Sequence, residues 1–81
     1  MKTFDNYTIE EFNLVTGTKL TKDMTFQEVN DEIEKQEVSY FYISMDENDV
    51  LEAIENEKEV AEALDLRLIN IQNLDIFIAT Y

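Results

Sequence analysis

The sequence predicts an α+β fold of two layers, and three observations carry that prediction. A run of aromatic and β-branched residues, Val38–Met45, stands at the middle of the chain and suits a pleated strand. Acidic stretches with apolar residues at helical spacing lie on either side of it. The C-terminal stretch then loses nearly all its charge and reads as two further strands. The expected order is β-β-α-β-α-β-β. About five mostly antiparallel strands would form the sheet, with the two helical segments on one face.

The first strand pair is expected between Tyr7 and Thr21. Thr8, Ile9, Phe12, Leu14 and Val15 are strand-like, and the only glycine, Gly17, would supply the positive φ of a hairpin turn before Thr18–Thr21. A lone glycine makes no phosphate cradle, so Gly17 is read as structural. Before this pair, residues 1–6 have little pattern, with Phe4 and Tyr7 placed to fold back on the core. Thr25 with Glu28 three residues on is a capping box. It opens a helix from Phe26 to about Gln36 that turns Phe26, Val29 and Ile33 inward, with Met24 as a staple before the cap.

Along the strand that follows, alternation puts Phe41, Ile43 and Met45 on one face and Tyr40, Tyr42 and Ser44 on the other. Large side chains on both faces suggest a central position in the sheet. Helix resumes at Asn48 or Asp49, either of which can cap it, with Val50, Leu51 and Ile54 inward. Val60, Ala61 and Leu64 form a second apolar set out of phase with the first. Either the helix over 49–64 bends near Glu57, or Asn56 caps a second short helix with Glu59 completing a capping box. Leu64-Asp65 closes the region. Arg67–Ile71 is a strand, Gln72–Asp75 a turn, and Ile76–Tyr81 the last strand.

The 81 residues give room for one domain, 1–81, and one modest core. A chain this short buries roughly 60% of its unfolded surface and gains from a partner or a second copy. Cysteine is absent, so neither a disulfide nor a thiolate metal site staples the fold. No apolar run approaches the ~20 residues of a membrane span, and the first residues do not open a signal peptide. A soluble cytoplasmic protein without membrane contact is the expectation.

Charge is the dominant feature: 19 acidic residues against 6 basic ones, a net charge of −13. Direct binding to nucleic acid, which needs clustered Lys and Arg, is excluded, as is adhesion to an anionic membrane. The natural partner is a basic protein surface, whose encounter such a field would speed. The competing explanation is that the charge only keeps a small protein soluble.

Catalysis is not expected. Histidine and cysteine are both absent, Ser39 and Ser44 have no basic partner nearby in sequence, and Lys58 sits among carboxylates that hold it charged. No cofactor is implied. Asp46, Glu47, Asn48 and Asp49, with Glu52 one turn later, are oxygen ligands of the type that hold Ca²⁺ or Mg²⁺, but they lack the glycine and spacing of an EF-hand loop. They read more simply as acids at a helix N-terminus, where the macrodipole favours them.

Two candidate binding surfaces remain. Glu52, Glu55, Glu59 and Glu62 are spaced i, i+3, i+7, i+10. On a continuous helix they form one row, with neighbours ~5–6 Å apart. Such a row offers a phosphate-like surface, although any solvated helix face in an acidic protein shows something similar. In size and charge the chain resembles the small acidic DNA-mimic inhibitors encoded by phages and mobile elements. That resemblance implies a non-catalytic inhibitor of a basic DNA- or RNA-binding protein. The second surface is a sheet face turned away from the helices, on which Tyr40, Tyr42, Phe77 and Tyr81 would form an aromatic patch. It suits an interaction module or a homodimer, unless Phe4 and Tyr7 cover it.

Overall fold

The computed structural model describes residues 3–81. Eight elements follow in order: β1 (Asp5–Tyr7), α1 (Ile9–Thr16), α2 (Phe26–Lys35), β2 (Tyr40–Ser44), α3 (Glu47–Asn56), α4 (Lys58–Leu64), β3 (Arg67–Ile71) and β4 (Ile76–Thr80). The class is α+β, with a four-stranded mixed sheet in the order β1-β3-β4-β2. β1 runs parallel to β3, while β4 is antiparallel to both β3 and β2. Of the irregular start expected over 1–6, residues 1 and 2 lie outside the described residues, and Asp5 and Asn6 belong to β1.

The N-terminal hairpin is not formed. Residues 9–16 are helical, and the reason is local: Thr8 caps the helix, its hydroxyl accepting from the Glu11 amide while the Glu11 carboxylate accepts from the Thr8 amide at 2.9 Å. This is the same capping box that Thr25 and Glu28 make at the start of α2. Ile9 and Phe12, one helical turn apart, are the buried residues of α1, whereas Leu14 is 86% exposed. Gly17 does take a positive φ, 78°, but as the left-handed cap of α1, its amide donating to the Asn13 carbonyl.

Nothing lies within 4 Å of where a Cβ on Gly17 would sit. The cost of Gly17→Ala is therefore conformational alone, about 1 kcal/mol. Thermal unfolding should show it as a drop of about 4–8 °C in Tm for a domain of this size. A hairpin turn at this position is not needed, because Asn13 pins the following loop. Its side chain donates to the Leu20 carbonyl and accepts from the Thr18 hydroxyl and the Leu20 amide at 2.8–3.0 Å.

The helices cover both faces of the sheet, not one, so the molecule has three layers. Ile9 and Phe12 of α1, with Val29 and Ile33 of α2, pack on Ile69, Ile71, Ile76 and Ile78. Val50 and Ile54 of α3, with Ala61 of α4, pack on Leu68 and Ala79 from the other side. Strand pleating separates these two sets. Topology explains the split. β1, β2 and β3 all run parallel, and the chain crosses the sheet from β1 to β2 and then returns to β3. Crossovers of one hand that step in opposite directions must lie on opposite faces.

β2 is an edge strand, not a central one; β3 and β4 hold the interior. A β-bulge between Tyr40 and Tyr42 shifts its register and breaks the expected alternation. Tyr40 and Ile43 consequently pack with the α1–α2 core and Phe41 with the α3–α4 core, while Met45 lies past the strand end and is 59% exposed. Asp46 caps α3, its carboxylate accepting from the Asn48 amide at 2.9 Å, in place of Asn48 or Asp49.

Candidate functional site

The four glutamates of the acidic row are all exposed, but they do not share one helix. Glu52 and Glu55 belong to α3, Glu59 and Glu62 to α4. The break falls at Glu57, whose φ of −125° and ψ of 46° leave the helical region. Of the two arrangements open from the sequence, the chain adopts two helices. Glu57 stands in the cap position of α4 without a side-chain capping bond, so Asn56 and Glu59 do not form the expected box. The bend has a packing cause. Val50, Ile54 and Ala61 would share one stripe of an unbroken helix, but Glu57 falls on that stripe as well, and the break leaves its carboxylate exposed.

What the bend produces is an acidic layer in place of a straight row. In the stretch 46–65, nine carboxylates are exposed and Lys58 is the one base. Val60, 51% exposed, sits among them. Across the Glu57 break the helical spacing no longer fixes the distances between carboxylates. The phosphate-like pitch expected of one helix therefore applies only within each pair.

The aromatic residues are not brought onto one face. Tyr40 packs against the α1–α2 core, and its hydroxyl donates to the Glu34 carboxylate at 3.2 Å and lies 3.4 Å from Asn30 Oδ1. Phe77 is on the opposite face, in the α3–α4 core, and meets Phe4 edge to face with ring centroids 5.3 Å apart. Tyr81 lies beyond β4 and is 57% exposed; Tyr42 is 40% exposed at the open edge. Helices on both sides of the sheet, together with Phe4, leave no bare sheet face for a patch of the four.

The site brings together two groups that were separate in sequence. Tyr42 shares a shallow hollow with Asp49 and Glu52 of α3. Asp49 also accepts from the Ser44 hydroxyl at 3.1 Å, tying the first turn of α3 to the end of β2. Asp46 and Asp49 are thus engaged in capping and strand-end bonds. Among the described residues, no group of three or more Asp, Glu, His or Cys is placed to hold a metal ion. Nor is any helix among them long and apolar enough to cross a membrane.

Burial raises the pKa of Tyr40 above the ordinary 10.0, and the neighbouring Glu34, as hydrogen-bond acceptor and negative charge, raises it further. The neutral phenol is the form favoured by folding. Its contribution to stability is fully present below the unfolded value and is lost as pH rises through the folded one. Tyrosinate absorbance should show one group titrating late, and Tyr40→Phe should remove that late step. Loss of an early step instead would place the burial elsewhere.

Compared with known proteins, the chain matches no family model, no curated protein and no solved structure.

Proposed function

We propose that this chain is a non-catalytic binding protein that engages a basic surface of a partner protein through the α3–α4 layer. The observation that carries the reading is the charge of that layer: nine exposed carboxylates over residues 46–65 against Lys58. Carboxylates crowded without interleaved bases repel one another, a cost that a purely structural helix pair normally relieves with i,i+4 ion pairs. Among the described residues, Glu55, Glu59 and Glu62 make no fold-building hydrogen bond of the kind that occupies Glu11 and Glu28, which supports a role directed outward.

In its more specific form, the proposal is that the layer takes the place of phosphates on a DNA- or RNA-binding protein and inhibits it. Density of charge supports this form, not the pitch of one helix, since α3 and α4 are separate. A partner with clustered Lys and Arg would be drawn in quickly at low salt and released as salt screens the field.

The test is capture from lysate of the cells that encode the protein, at low salt, followed by stepped salt elution. A basic protein held by the wild type, released at moderate salt and displaced by duplex DNA or by RNA is the expected result. Equal retention by a variant with Glu52, Glu55, Glu59 and Glu62 changed to Gln would contradict the proposal.

A further inference from the structure

The sheet has two edges, and they differ. β1 is three residues long and carries Asp5, the short, charged form that discourages further pairing. β2, Tyr40–Ser44, pairs with β4 on one side only. Its sequence, YFYIS, has no Lys, Pro or charge to block the other side. Its bulge lies at the N-terminal end, between Tyr40 and Tyr42, which leaves Tyr42–Ser44 in regular register. Among the described residues, no backbone hydrogen bond from outside the sheet reaches Tyr40–Ser44. Carboxylates flank this open edge on both faces: Glu34 at the Tyr40 hydroxyl on the α2 side, Asp49 at the Ser44 hydroxyl and Glu52 beside Tyr42 on the α3 side.

We infer that β2 is a docking edge for an extended basic segment of the partner, which adds to the sheet as a fifth strand. Main-chain hydrogen bonds to the open edge would supply affinity, and alternate side chains would face the two flanks. With carboxylates on both flanks, Lys or Arg on either face of the incoming strand finds an opposite charge. A second copy of this chain is the poorer occupant, because pairing β2 with itself sets these carboxylates against their own kind. This inference rests on the reading of the protein as a binder of basic partners and adds how the contact is made.

The experiment follows backbone amide shifts of the full chain on titration with a short end-capped peptide alternating lysine and valine. A peptide of the same sequence N-methylated at every residue serves as the control of equal charge. The expected result is perturbation centred on Tyr40–Ser44, and a loss of about tenfold or more in affinity for the methylated peptide, which cannot make the strand hydrogen bonds. Asp49→Asn with Glu52→Gln should weaken the parent peptide severalfold and leave the sheet amides protected from exchange. Equal affinity for the two peptides, absence of binding, or shifts confined to α3 and α4 would each overturn strand addition. So would concentration-dependent dimerisation that protects the β2 amides, which would make a second copy the occupant. The broader reading is judged separately by salt-dependent capture through Glu55, Glu59 and Glu62, so strand addition can fail while that reading stands.

Discussion

Phe12→Ala is expected to remove a large share of the protein's stability, while Leu14→Ala is expected to be nearly silent. Phe12 is fully buried in the core between α1, α2 and the sheet. Removing a buried phenylalanine costs about 3–5 kcal/mol, from lost transfer energy and the cavity left behind. A domain of this length has roughly 4–12 kcal/mol in total. Leu14, two residues on, is 86% exposed, and exposed substitutions usually stay within about 0.5 kcal/mol. On a strand the two residues would share a face and be damaged alike; on a helix they lie some 200° apart. Urea unfolding of the pair therefore reports on the helix directly. Similar losses for both would restore the hairpin.

Reversal of Glu52, Glu55, Glu59 and Glu62 to Lys is expected to abolish binding to a basic partner without cost to the fold. All four side chains are exposed, so no core contact is lost. Each exchange moves the net charge by two units, which takes the chain from −13 to −5 and reduces its self-repulsion. Lysine is as good a helix former as glutamate, so α3 and α4 keep their propensity. The melting temperature should stay level or rise while partner capture is lost. Retained capture by a well-folded reversal variant would exclude the acidic layer as the contact, and capture lost together with the fold would contradict the view of these residues as purely superficial.

Much of the interior was legible because its signals are local. The Thr25–Glu28 box, the α2 stripe of Val29 and Ile33, the turn over 72–75 and the strands on either side of it all stand where the sequence places them. The α1 helix was equally legible in one respect, since Thr8 and Glu11 repeat the box found at Thr25 and Glu28. The β-branched and aromatic residues around it outweighed that signal, and the mistaken hairpin gave a count of about five strands. The mostly antiparallel character holds roughly, with two of the three strand pairings antiparallel. β1 is three mostly polar residues and gains its place only by pairing in parallel with β3, across most of the chain. Such a pairing leaves no local trace.

The third layer had a trace that periodicity alone obscures. Leu68, Ile69 and Ile71, then Ile76 to Ala79, are apolar on both faces, as strands covered on both sides are. For the candidate site, exposure of the four glutamates follows from composition. The break falls at Glu57, a carboxylate that an unbroken helix would place on the stripe shared by Ile54 and Ala61, and periodicity alone leaves open whether the chain bends or stops there. The aromatic patch failed for a similar reason: the bulge after Tyr40 changes the phase of β2, and Phe4 and the α3–α4 layer cover Phe77. Neither a bulge nor a covering layer is written in the residues of the strand itself.

The central claim is that opposite charge, carried by the α3–α4 layer, holds the partner. The most direct test is the affinity of the wild type for its captured partner across a salt series, with the Glu→Gln variant of the same four positions beside it. The account predicts affinity that falls steeply as salt rises, with a shallower slope and weaker binding at low salt for the variant. Affinity that is flat with salt and equal in the two proteins would contradict it.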